Sequence, residues 1–209
     1  MKNFITLMAV VLISAAVHAR GNDTPATIFF HDGTSREGLL RPLKMDARQV
    51  SFKADKTARV ERFPSRDIAR IRIFDEEDNA YADLVFLPWH KRPGRTKLEK
   101  AVWLTVVMDG HLTLYHHRIV TRTQRGATVF VENRFLVRRA DEAAPTYITT
   151  ELTRGVVIGP TDLVRLGWRY FENFPELAER IRNREFENNR NGMKTIVMEY
   201  NIWASQRRP

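Results

Sequence analysis

The sequence predicts an α+β protein: a small β-barrel-like module first, a second antiparallel β section next, and C-terminal helices packed on that section. Three observations predict it. Apolar and polar residues alternate in short runs from Thr27 to about Thr150, as in half-buried strands; the apolar spacing lengthens to threes and fours after Asp162; and an Asp-Gly dipeptide between strand-like runs occurs twice, at Asp32-Gly33 and Asp109-Gly110. The expected segments are 1–19, a signal peptide; 20–78, the small β module; 79–150, the second β section; and 151–209, the helical region.

Met1 to Ala19 has the parts of an export signal: Lys2, an apolar run from Phe4 to Val17, and small residues at the exit in Val17-His18-Ala19. Cleavage is expected between Ala19 and Arg20, where the composition turns polar. The apolar run is shorter than the roughly 20 residues that cross a bilayer, so it reads as cleavable rather than as an anchor. Ala101 to Met108 and Gly155 to Ile158 are only strand-length. The expectation is therefore an exported protein, periplasmic or extracellular, with no transmembrane segment after cleavage.

From Thr27 to Phe74 five strands are expected. Thr27 to His31 and Thr34 to Leu40 flank the first Asp-Gly turn; Gln49 to Lys53 puts Val50 and Phe52 on one face, and Ala58 to Phe63 offers Ala58 and Val60. In the last run Ile71 and Ile73 alternate with Arg70 and Arg72, giving one buried face and one cationic face. After the acidic stretch Asp75 to Asn79, the second section holds the hairpin Ala101 to Met108 and His111 to Val120, then runs at Thr128 to Val131 and Phe135 to Arg139. Leu163, Leu166 and Tyr170 mark a first helix starting near Pro160. Asn173-Phe174-Pro175-Glu176 reads as a capping box opening a second, with Leu177, Ala178 and Ile181 inward; Met193, Ile196, Val197, Tyr200 and Trp203 mark a third.

Composition narrows the chemistry. There is no cysteine, which removes disulfides, thiolate nucleophiles, Cys-based metal sites and a lipid-accepting Cys. The charge is +9, from 34 Lys plus Arg against 25 Asp plus Glu, and loss of Lys2 with the signal lowers it by one to +8. Such a balance first suggests nucleic acid. Export argues against it and leaves anionic envelope polymers, lipid head groups, acidic glycans or a protein partner; the plainer account is solubilising charge.

Metal ligation is not expected. His116 and His117 are adjacent on a strand and point to opposite faces, while His111 and His117 stand roughly 20 Å apart. The acidic stretch fails the EF-hand loop template, with Ala80 in place of its Gly and Phe86 in place of its bidentate Glu. HExxH, phosphate-loop and dinucleotide motifs are absent, and the glycines of Gly33-Thr34-Ser35-Arg36-Glu37-Gly38 have the wrong spacing for a nucleophile elbow. No cofactor is expected. Trp89-His90-Lys91-Arg92-Pro93-Gly94-Arg95-Thr96-Lys97 combines an aromatic with four cations in a Pro-Gly loop, chemistry that suits anionic sugars or head groups.

The N-terminal order of strands, with its Asp-Gly hairpin and Pro-Ser-Arg-Asp turn before an Ile-rich strand, resembles a small Sm-like open barrel. The whole chain is similar to a loose group of exported Bacteroidetes-type proteins of uncharacterised activity, through Val107-Met108-Asp109-Gly110-His111-Leu112-Thr113-Leu114-Tyr115 and the later Tyr200-Asn201. These resemblances imply no catalytic residues. The expected function is a non-enzymatic envelope module, with the small β module as the recognition element, binding an anionic surface or a protein partner through Arg70, Arg72, Trp89, Lys91, Arg92, Arg95 and Lys97. The alternative is an exported hydrolase of glycan or peptide, which needs two carboxylates about 5 to 9.5 Å apart in a deep pocket. Self-association through the small β module is a third reading.

Overall fold

Alternating side chains turn the described residues between 24 and 152 into ten strands of one sheet. The structure, a computed structural model, describes residues 23–75, 80–122, 129–152 and 162–207. The expected signal peptide, most of the acidic stretch and Gly155 to Ile158 lie outside the described residues. The strands are β1 (Thr24–Phe30), β2 (Ser35–Leu40), β3 (Gln49–Lys53), β4 (Glu61–Pro64), β5 (Ile68–Asp75), β6 (Ala80–His90), β7 (Leu98–Met108), β8 (Leu112–Arg122), β9 (Val129–Arg139) and β10 (Thr146–Leu152). They lie side by side in the order β10-β9-β8-β7-β6-β5-β1-β2-β3-β4.

The expected boundary near residue 78 falls between β5 and β6, outside the described residues, and the sheet runs across it: Ile71 pairs with Leu84 and Asp75 with Ala80. One buried cluster also crosses, joining Ile28, Val50, Phe52 and Ile71 to Leu84 and Trp103. The other face of β6 and β7 serves a second cluster, Leu104, Tyr115 and Leu136, with Trp89 and Tyr147 packed against it. Around this cluster β6 to β10 curl until first and last strands touch, with Thr146 beside His90 and the His90 N–H donating to the Pro145 carbonyl at 2.8 Å.

The two Asp-Gly turns use glycine for different reasons. At the first, the Gly33 N–H donates to the Phe30 carbonyl and the Phe30 N–H to the Thr34 carbonyl, with Gly33 at φ +87°. This is a three-residue turn closed by a left-handed glycine, stabilised by Asp32, which accepts from the Thr34 N–H at 2.8 Å. Gly110 has no positive φ. There a Cβ would come within 2.6 Å of Nδ2 of Asn201, whose side chain accepts from the Leu112 N–H at 2.7 Å and donates to the Leu112 carbonyl at 3.1 Å. The helical Asn201 thus completes the strand edge, and the Tyr-Asn pair noted in the sequence sits on the hairpin noted with it.

The expected run Ala58 to Phe63 is mostly turn. Asp55 accepts from the Thr57 N–H, the Thr57 hydroxyl and the Ala58 N–H, so the chain straightens only at Glu61. Val60 is left exposed, and Phe63 supplies the inward side chain, its ring 5.2 Å from Phe30.

After β10 come α1, a π-helical turn Leu163–Gly167 continuing into Trp168–Tyr170, then α2 (Pro175–Arg182) and α3 (Arg190–Gln206). Their apolar stripes meet Leu112, Leu114, Phe135, Val137 and Ile148 of the sheet in the largest core, built from Phe171, Leu177, Ile181, Met193, Ile196 and Val197. The capping box expected at Asn173 is not formed. Pro175 opens α2 without a side-chain cap, because Asn173 is held by Arg139 and Tyr200 instead. A true cap opens α3, where the Asn189 side chain accepts from the Gly192 N–H at 2.9 Å.

Candidate binding site

Of the seven residues expected to bind, Arg70 and Arg72 stand apart from the rest. They lie on β5 and share Asp83 of β6, with Arg72 reaching it through Nε at 2.9 Å and Nη2 at 3.1 Å and Arg70 through Nη1 at 3.2 Å. The Arg70 guanidinium also covers the Phe29 ring at 4.3 Å. The expected cationic face is therefore partly neutralised by the one carboxylate that both arginines share. From Asp83 to Lys91 the chain advances eight residues along β6, roughly 25 Å. The structure does not bring Arg70 and Arg72 to the loop.

The other five residues gather where β6 and β7 turn. His90 pairs with Leu98, so Lys91 and Lys97 face each other just beyond the ladder. At the tip the Arg95 N–H points at the Arg92 carbonyl, Pro93 follows Arg92, and Gly94 takes φ +73°. Pro and then a left-handed Gly between these ends is the pattern of a type II turn, which holds the flanking Cα atoms within about 7 Å. Two pairs of like charges therefore oppose each other, an arrangement that costs stability across strands. All four cations are exposed, and none has an acidic partner among the described residues.

At the foot of this loop lies a cleft of about 310 Å³ lined by Trp89, Lys91, Glu99, Glu132, Arg134, Tyr147 and Asp162. Strand register builds one wall, because Trp89 pairs with Glu99. The Trp89 and Tyr147 rings meet edge to face, centroids 6.3 Å apart. The Tyr147 hydroxyl donates to Asp162 at 2.6 Å and lies 2.7 Å from the Thr150 hydroxyl. Burial, followed by that bond to Asp162, raises the Tyr147 phenol above its ordinary value, so it stays a donor. Glu132 grips Arg134 through two contacts, at 2.8 and 3.2 Å, as alternate residues on one face of β9.

Two of the three cleft carboxylates are thus occupied, Glu132 by Arg134 and Asp162 by Tyr147 and Arg165. These pairings give the cleft a polar lining. Trp89 and Lys91 are legible in the sequence as candidate contacts, whereas Glu99, Glu132, Arg134, Tyr147 and Asp162 are not. Only the Glu132 to Arg134 spacing carried a local signal.

Elsewhere, His116 and His117 do take opposite faces of β8. His116 stacks on Phe135 with Nε2 3.1 Å from the Asn133 oxygen. His117 is buried beside a second cleft where β7 and β8 part: they pair only from Thr105 to Met108, and the Trp103 N–H turns instead to the Met45 carbonyl at 2.7 Å. Burial, then the nearby positive charge of Arg134, pushes His117 down to about 4. Among the described residues no three His, Asp or Glu side chains converge as a metal site, and no helix is long and apolar enough to cross a membrane. Compared with known proteins, the chain matches no family model, and neither a curated protein nor a solved structure is significantly similar to it.

Proposed function

We propose that this protein is an exported, non-enzymatic binding module that holds an anionic surface or polymer of the cell envelope on its β6–β7 loop. The observation that carries the reading is the doubled like-charge pairing of Lys91 with Lys97 and Arg92 with Arg95, none of which forms an ion pair with an acid among the described residues. A multiply charged anion laid across the turn removes that repulsion, so binding and loop order reinforce each other. The signal-like leader supports an envelope location, where such polymers occur. The order β5-β1-β2-β3-β4 around a shared core supports reading residues 20–78 as an open barrel-like module, here a buttress for β6 rather than the contact surface.

Co-sedimentation of residues 20–209 with isolated bacterial envelope fractions tests the proposal. Retention at low salt that falls steeply toward physiological ionic strength is expected; retention that ignores salt refutes a charge-based mechanism. Absence of retention at any salt would turn attention to the hydrolase reading.

A further inference from the structure

The loop and the cleft beneath it ask for different chemistry from one ligand. Beyond the strands stand four cations without an ion pair among the described residues; at the foot of the loop one of them, Lys91, lines the cleft with Arg134, three carboxylates and an aromatic pair. A bare phosphate brings these carboxylates no hydroxyl hydrogens. A sugar ring edged with hydroxyls does, because carboxylates accept hydroxyl hydrogens while an aromatic ring covers an apolar ring face. The volume, about 310 Å³, lies at the lower end of small-ligand pockets, which run from about 300 to 1,000 Å³. It suits one sugar ring rather than a lipid tail or a folded peptide.

We infer that the anionic partner is an acidic polysaccharide: one uncharged sugar face seats against Trp89 and Tyr147 with its hydroxyls on Glu99 and Glu132, while carboxylates of the same chain lie on Lys91 and the loop cations. The inference rests on the binding reading above and adds the ring seat to it. Lys91 joins the two halves, since it lines the cleft and belongs to the loop.

The test compares polygalacturonate, which carries charge on sugar rings, with polyphosphate, which carries charge alone, and with vesicles of phosphatidylglycerol and phosphatidylethanolamine. For Trp89→Ala the expected result is an affinity loss of about five- to tenfold for polygalacturonate and under about twofold for polyphosphate. Equal losses for both polymers overturn the ring seat and leave the loop reading intact. Tighter binding to the vesicles than to polygalacturonate overturns the sugar in favour of lipid head groups, and no binding of any probe at low salt overturns both readings. Because Trp89 also packs on the core, the wild-type indole N–H signal of Trp89 is followed by nuclear magnetic resonance. It should shift with trigalacturonate and not with tripolyphosphate; no shift with the sugar refutes the seat.

Discussion

Arg139 and the β6–β7 loop use the same kind of side chain in opposite ways. At the end of β9, Arg139 donates through Nε to the Tyr200 hydroxyl at 3.0 Å, through Nη1 to Glu142 at 2.9 Å, and through Nη2 to the Asn173 oxygen at 3.0 Å and the Tyr170 carbonyl. The Tyr170 ring lies beneath it at 4.1 Å. Burial alone would lower its pKa, but Tyr170, Tyr200 and Glu142 outweigh burial and raise it, so the charge is permanent. One strand residue thereby fastens α1, the start of α2 and α3 to the sheet. In the loop, four cations face solvent with no such partners among the described residues. Positive charge here is structural where neighbouring elements converge on it, and stays exposed to solvent where a turn carries it beyond them.

Breaking the first half of this comparison should have the largest effect on stability. Arg139→Met removes the four side-chain hydrogen bonds and the ion pair to Glu142 that tie the helices to β9, and is expected to cost about 3 kcal/mol in urea unfolding. A variant of wild-type stability would show that the hub is incidental.

A comparable effect is expected from pH. His117 is neutral and buried in the folded protein, with its pKa pushed down to about 4, whereas the unfolded chain takes up a proton near 6.5. Stability attributable to it is present above pH 6.5 and is lost as pH falls toward 4, by roughly 3 kcal/mol over that window. Chemical denaturation at intervals across this range measures the slope, and His117→Gln should flatten it. An unchanged slope in that variant would assign the acid sensitivity elsewhere.

A smaller effect is expected where α3 touches the second Asp-Gly hairpin. Asn201→Ala removes two hydrogen bonds to Leu112 and should cost about 1 to 3 kcal/mol. Gly110→Ala should cost a similar amount by displacing that same side chain, and become nearly neutral once Asn201 is already Ala. Additive costs in the double variant would mean that Gly110 is needed for another reason.

Strand periodicity made most of the sheet legible: Gln49 to Lys53 matches β3, and the hairpin flanking Asp109-Gly110 is β7 and β8. Two apolar stripes at helical spacing likewise fix the inward faces of α2 and α3. What escaped was whatever depends on partners distant in the chain. Nothing near Arg72 signals that Asp83 will stand opposite it across β6, and nothing near Asn173 signals that Arg139 and Tyr200 will outbid the helix for its side chain. The candidate cleft was only partly legible for the same reason. Its loop is a contiguous, oddly charged string, whereas Glu99, Glu132, Tyr147 and Asp162 come from four segments that only the curling of β6 to β10 brings together.

The smallest change in stability and the largest in binding should coincide in the loop. Replacing Arg92 and Arg95 together by Glu should shift unfolding by less than about 0.5 kcal/mol, because both are exposed and without acidic partners among the described residues. The most direct measurement is the salt dependence of polyanion affinity for this double variant beside wild type. A charge-binding loop gives the variant weaker binding and a shallower dependence on salt at unchanged stability; equal affinity and equal slope in both proteins would contradict such a loop.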